Sequence, residues 1–127
     1  MVSKERIYLG KSGEEAALDF LRGRGYRILN TNYKNKLGEI DIIAQDKDTL
    51  VFIEVKTRST DRWGLPAEAV SISKQRQISK VAVSFLKENN LLDKKARFDV
   101  VSILYADNIP EVNLVKDAFE LGGNYAL

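Results

Sequence analysis

Asp41, Glu54 and Lys56 are the residues of this chain whose types and spacing point to chemistry. They lie in two adjacent apolar runs, LGEIDIIAQ and LVFIEVKT, that read as neighbouring strands of a hairpin. Burying carboxylates in such strands is costly unless something offsets their charge, and a divalent cation is the usual partner. Phosphodiester hydrolysis needs an in-line water, charge compensation at the transition state and help for the leaving oxygen. Asp41 and Glu54 are suited to be direct metal ligands, with the Val55 carbonyl as a third oxygen. Lys56 lies two residues beyond Glu54, so in a strand it projects to the same face, where it can orient or activate the water and offset phosphate charge. The expected cation is Mg²⁺, with Mn²⁺ able to substitute. The plainer alternative is an ion pair between Lys56 and Glu39 across the hairpin, since an ExK triplet in a strand is common by chance.

Composition narrows the chemistry further. The 127 residues suffice for one domain with a sizeable core. They include no cysteine, which excludes disulfides, thiol catalysis and thiolate metal sites, and no histidine, which excludes the Ser-His-Asp triad and histidine-based zinc or nuclease sites. Hydrolysis would therefore rest on carboxylates, lysine and a hard cation. No apolar run approaches the ~20 residues that span a bilayer, and Met1 to Arg6 lacks an apolar signal core, so the expectation is a cytoplasmic protein with no membrane partner. The formal net charge is only +2. Its distribution says more: Lys74, Arg76, Lys80, Lys87, Lys94, Lys95 and Arg97 fall in a stretch whose acids are Glu88 and Asp93. A second basic group is Arg22, Arg24, Arg27, Lys34 and Lys36. Such stripes can neutralise phosphates, or can simply be solvated helix faces.

The elements that must position these residues follow from pattern. Ser12-Gly13-Glu14-Glu15 has the form of a capping box, which predicts a helix from Ser12 to about Arg22 or Arg24, ending at Gly23 or Gly25, after an arm over about 1–11. Ala17, Leu18 and Leu21 share a face with Glu14, which aims that carboxylate at the core from the first turn. It is either a further metal ligand or a first-turn acid favoured by the helix dipole. Strands are expected over Tyr26 to Tyr33, Glu39 to Gln45 and Leu50 to Thr57. A turn centred on Lys47-Asp48 would set Gln45 opposite Leu50, Ile43 opposite Phe52, Asp41 opposite Glu54 and Glu39 opposite Lys56. Ile42 would meet Ile53, and Ile40 would meet Val55, on a wholly apolar face. Like charges directly opposite destabilise a bare sheet, a penalty that a shared cation would remove. Arg58 to Pro66 reads as a loop carrying Trp63. Ser73 is expected to cap a second helix over Lys74 to Glu88 or Asn89, whose apolar face is Ile78, Val81, Ala82, Phe85 and Leu86. Ala96 to Tyr105 reads as a buried fourth strand, Glu111 to Val115 as an edge strand, and Phe119 as the anchor of a tail over about 118–127. The expected fold is α/β, an αβββαβ core with a central mixed sheet flanked by helices, forming a single domain over 1–127.

At these residues the chain resembles a known family. Gly38-Glu39-Ile40-Asp41, with Phe52-Ile53-Glu54-Val55-Lys56-Thr57-Arg58, looks like the YraN family of small bacterial proteins. These are similar to archaeal Holliday junction resolvases within the PD-(D/E)xK nuclease superfamily. The resemblance runs from Gly10-Lys11-Ser12-Gly13-Glu14 through Gly25-Tyr26 and the hairpin to Lys74, the second helix and Arg97-Phe98-Asp99-Val100-Val101. It implies a restriction-endonuclease-like fold. It also implies a metal-dependent endonuclease acting on DNA, including branched or Holliday-junction DNA, with Asp41, Glu54 and Lys56 as the catalytic core and Glu14 matching the resolvases' helix glutamate. Ile40 stands where the superfamily motif has proline. Resolvases of this kind work as dimers, so a homodimer is a further implication.

Other residues carry weaker expectations. Lys74, Gln75 and Arg76 open the second helix, where phosphate contact and plain surface are both open readings. Arg58 can clamp a phosphate or brace a carboxylate. Asp99 is expected to pair internally, with Arg97 or Arg27. Two readings compete with the nuclease: a non-catalytic nucleic-acid-binding or adaptor protein that retains the fold, and a charged hairpin that is only a structural ion-pair cluster.

Overall fold

The computed structural model describes residues 2–58, 70–106 and 109–121, with side chains placed over 13–57, 70–105 and 109–121. Helix α1 spans Val2–Gly23. Strands β1 (Arg27–Asn35), β2 (Gly38–Asp46) and β3 (Thr49–Arg58) follow. Helix α2 spans Ile72–Glu88, and β4 (Lys95–Ala106) and β5 (Ile109–Phe119) complete the order. The five strands lie in sequence order in one sheet. β3 and β4 are parallel, with α2 as the connection between them, and every other pair is antiparallel. This is the expected mixed α/β sheet, and its αβββαβ order is consistent with a restriction-endonuclease-like core.

Apolar side chains on both faces of the sheet explain its two helix layers. Leu50, Phe52, Phe98 and Val100 pack against Ile78, Val81, Ala82, Phe85 and Leu86 of α2. Val51, Ile53, Val101 and Ile103 pack against Ala17 and Leu21 of α1 and against Tyr26. A ladder of rings, Tyr33 on Phe85, Phe85 on Phe52, Phe52 on Phe98 and Phe98 on Phe119, fills the α2 side with centroids 4.8–5.9 Å apart. Phe119 is thus the expected anchor, although β5 runs to it rather than stopping near Val115.

Both helices end on the same device. Gly25, at φ +90°, follows α1; its N–H donates to the Arg22 carbonyl and that of Tyr26 to the Leu21 carbonyl, both at 3.0 Å. Asn90, at φ +56°, does the same after α2, with Leu91 donating to Leu86 at 2.8 Å. These are Schellman closures, which satisfy carbonyls that a helix end leaves open.

The starts of the helices differ from expectation. α1 begins ten residues before Ser12, so Ser12 lies inside it and the capping-box pattern does not mark its N-terminus. The stretch before Ser12 contains no proline to end the helix. The cap of α2 is Ser71, not Ser73: the Ser71 side chain accepts from the Lys74 N–H at 3.1 Å. The expected loop around Trp63, Gly64 and Pro66 lies outside the described residues.

Candidate functional site

The site grows from a fork between β2 and β3. Their ladder runs from Asp46 opposite Thr49 through Gln45/Leu50, Ala44/Val51 and Ile43/Phe52 to Ile42 opposite Ile53, in the expected register, and stops there. Beyond that point β2 stays with β1, where Ile40 opposes Tyr33 and Glu39 opposes Lys34. β3 stays with β4, where Glu54 opposes Val100 and Lys56 opposes Ser102. The expected pairs Asp41/Glu54, Glu39/Lys56 and Ile40/Val55 are therefore not ladder pairs. Instead the Asp41 carboxylate occupies the fork, its Oδ2 accepting the Val55 N–H at 2.8 Å. Asn32, in β1 opposite this point, adopts φ +53°, and the sheet face switches across it: Ile42 joins the α1 cluster while Ile40 joins the α2 cluster. The single apolar face expected for Ile40 and Ile42 is thus split by a left-handed residue in the neighbouring strand.

Glu54 is 8% exposed and meets Asp41 across the fork. Burial, then the charge and hydrogen bonding of Asp41, push its carboxyl up to about 7, against the opposing pull of Lys74 and Lys56. Lys56 Nζ lies 4.0 Å from Glu54 Oε2, and Lys56 does not take Glu39 as its cross-hairpin partner. Lys74 reaches this environment from the first turn of α2, whose N–H groups face the same way. Gln75 turns inward, its amide donating to the Val70 carbonyl at 3.0 Å, while Arg76 is exposed. Arg58 closes β3; its side chain lies outside the described residues.

Glu14 is exposed, not aimed into the core as its helical phase implies. It lines a cavity of about 330 Å³ with Gly13, Asn32, Asp41, Val55 and Thr57, so it shares an approach to Asp41. Asn32 Nδ2 donates to its Oε1 at 3.1 Å. Gly13 sets how close α1 comes, since a Cβ there would meet Thr57 Oγ1 at 3.0 Å. Among the described residues no three His, Cys, Asp or Glu side chains are grouped to hold a metal. The carboxylate set at the fork is the pair Asp41 and Glu54, whose oxygens suit a hard cation. Asn32 is a site residue that the strand pattern does not single out. An asparagine between strand residues, tolerant of the left-handed region, is the signal that was there.

A raised carboxyl makes the metal-free protein lose stability as pH rises from about 4.5 to about 7, because the folded state holds the proton that the unfolded chain releases. Glu54→Gln removes that loss. The variant is expected to unfold later than the wild type at pH 8 in chelator, by on the order of 1 kcal/mol after solvent screening, and to converge with it near pH 4, as read by thermal melts.

A mixed five-stranded sheet with two helices, with acids at the β2/β3 fork, makes an α/β protein consistent with a restriction-endonuclease-like core. Comparison with known proteins is more particular. The profile described as "Uncharacterised protein family UPF0102", the YraN family, matches residues 13–103, and the chain belongs to this family. A UPF0102 protein of Geotalea uraniireducens is 52% identical over 114 residues, covering 89% of this chain and 90% of the relative. One from Syntrophus aciditrophicus is 47% identical, covering 92% of each chain. One from Caldicellulosiruptor bescii is 49% identical, covering 87% of this chain and 96% of the relative. No described helix is long and apolar enough to cross a membrane.

Proposed function

We propose that the protein is a metal-dependent endonuclease that hydrolyses phosphodiester bonds of DNA, with branched or junction DNA as the favoured substrate. The observation that carries this reading is the Asp41–Glu54 pair at the β2/β3 fork with Lys56 Nζ 4.0 Å from Glu54 Oε2. The buried Glu54 carboxyl, its proton affinity raised by burial and by Asp41, is a group that a hard cation would relieve, so the donor set fits Mg²⁺ or Mn²⁺. Asp41 and Glu54 would hold it, with the Val55 carbonyl as a further oxygen; Glu14, on the rim of the same cleft, would act through water. Bound there, the cation would supply charge compensation at the phosphate. The Val55 N–H fixes Asp41 in place. Lys56 orients the attacking water and offsets charge on the phosphate. Lys74 and Arg76, at the positive end of α2, and Arg58, the last residue of β3, would meet phosphate oxygens. Two matched cuts in a junction call for two active sites, so the reading carries a homodimer.

A second reading, a nucleic-acid-binding module without catalysis, is favoured by one observation: the third carboxylate, Glu14, is held by Asn32 rather than grouped with the pair. The separating experiment offers four-way junction, flap and linear duplex DNA with Mg²⁺, Mn²⁺ or chelator. The nuclease reading expects metal-dependent cleavage, fastest on a branched substrate. Salt-sensitive binding with no cleavage of any of them under any metal overturns it in favour of the module.

A further inference from the structure

A second concavity, none of whose lining residues belongs to the carboxylate fork, lies between α2 and the β1–β2 turn. It has a volume of about 560 Å³ and is lined by Leu37, Lys80, Val83, Ser84, Lys87 and Glu88. Three cross-links tie its two walls together. Gln77 Nε2 donates to the Leu37 carbonyl at 3.2 Å, Asn35 Nδ2 to Ser84 Oγ at 3.3 Å, and the Tyr33 hydroxyl to Glu88 Oε2 at 3.1 Å. Gly38, at φ +149°, lets the turn close on the helix, since a Cβ there would meet Gln77 Nε2 at 2.9 Å. The groove is therefore built before any partner arrives.

Its chemistry is mixed in an informative way. Leu37 is 46% exposed, although its N–H is fixed to Asn35 Oδ1 at 2.8 Å, so the turn holds a large apolar side chain outward. Val83 faces it across the groove. Lys80 and Lys87, both exposed, stand seven residues apart on α2, about 10 Å along the axis. The turn that carries Leu37 adds Lys34 and Lys36, also exposed. The one acid on the groove, Glu88, has its oxygens engaged by Tyr33 and Ser84.

We propose that this groove docks an acidic peptide segment of a partner protein. One apolar side chain sits between Leu37 and Val83, and flanking carboxylates meet Lys80 and Lys87. Positive rims around an apolar floor complement such a segment. Nucleic acid fits less well. The groove offers no aromatic face for a base, because the Tyr33 ring packs edge-on against Phe85 at 5.1 Å. A duplex backbone is held by polar and cationic groups and has no use for an exposed leucine. The proposal stands apart from the nuclease reading, and its test uses no cleavage.

The probe is a fluorescein-labelled peptide, Asp-Asp-Asp-Phe-Asp-Asp, followed by anisotropy on the full chain. Saturable binding is expected, weakened about tenfold or more by Leu37→Ser and by Lys80→Glu with Lys87→Glu, the scale of losing one anchor. An all-Asp peptide is expected to bind about tenfold more weakly than the Phe peptide. These positions are exposed, and unchanged thermal melts establish that the variants fold. Leu37→Ser is expected to leave affinity for a short DNA duplex unchanged. Absent binding, or binding indifferent to Leu37→Ser, overturns the proposal. So does a loss of duplex affinity in Leu37→Ser, which hands the groove to nucleic acid, or a wild-type dimer that Leu37→Ser dissolves, which hands it to a second copy.

Discussion

Lys56→Ala is expected to slow DNA cleavage by about 10²–10³-fold while leaving DNA affinity nearly unchanged, the range typical of losing a positioned proton-handling or charge-stabilising group. Lys56 Nζ is the cation beside Glu54, at 4.0 Å, and its side chain is 34% exposed, so its removal creates no buried cavity and should not unfold the protein. Its charge also holds down the Glu54 carboxyl, which burial and Asp41 raise to about 7. The alanine variant should therefore need a higher pH than the wild type to ionise Glu54. The rate loss should come with an upward shift of the acidic limb of the pH–rate profile. Single-turnover cleavage across pH 6–9, beside thermal melts, reads both. A variant as active as the wild type would remove Lys56 from the chemistry.

Asp99→Ala has the largest expected effect on stability. Asp99 is fully buried, and all its acceptors are used: the Tyr26 hydroxyl at 2.9 Å, Arg97 Nε at 2.9 Å and Nη2 at 3.1 Å, and the Asp117 N–H at 2.9 Å. Arg97 continues to Asp46 at 2.8 Å, and Lys116 approaches Asp46 at 3.7 Å. The network ties the end of α1, the end of β2 and the bulge of β5 at Asp117, where φ is +54°, to β4. Deleting Asp99 leaves the Tyr26 hydroxyl proton, the Arg97 Nε–H and the Asp117 N–H without their acceptor and removes one of the two carboxylates that pair with Arg97. The expected cost is about 3–5 kcal/mol, or a fall of roughly 10 °C or more in Tm. Replacing the whole cluster with packed apolar groups would cost less, because nothing is then left unpaired. Cleavage per folded molecule should be unaffected well below the new Tm, which separates this cluster from the site. A drop under about 1 kcal/mol in denaturant titration would show the network to be dispensable.

The hairpin register was legible because a turn centred on Lys47-Asp48 sets it, and the five pairs from Asp46/Thr49 to Ile42/Ile53 follow it. The fork was not legible. β3 pairs with β4 along its whole length, Thr49/Lys95 to Arg58/Leu104, while its ladder with β2 ends at Ile42/Ile53, a difference that no local pattern records. The turn of β1 at Asn32 then moves Ile40 to the other face, which periodicity alone cannot show. The same limit applied to α1. A capping-box pattern marks one acceptable start, but nothing before Ser12 stops the helix, so it continues to Val2. For α2, two serines competed, and the one whose hydroxyl reaches three residues ahead to Lys74 became the cap. The internal pairing of Asp99 was readable as to type, and Arg97 rather than Arg27 is its partner; Arg27 goes to Gln45 instead. At the site, residue types announced a carboxylate pair with a lysine beside it, and the structure brings these side chains together. The distance from Glu14 to that pair depended on the tilt of a helix whose approach is set by Gly13 against Thr57.

The central claim is that Asp41 and Glu54 form the working centre of a nuclease. The most direct measurement follows a labelled four-way junction and its linear control with Mg²⁺, comparing wild type with Asp41→Ala, both verified as folded. The account expects metal-dependent cleavage by the wild type and a loss of about 10³-fold or more in the variant, since the pair acts as a unit. Equal cleavage by both proteins would contradict it.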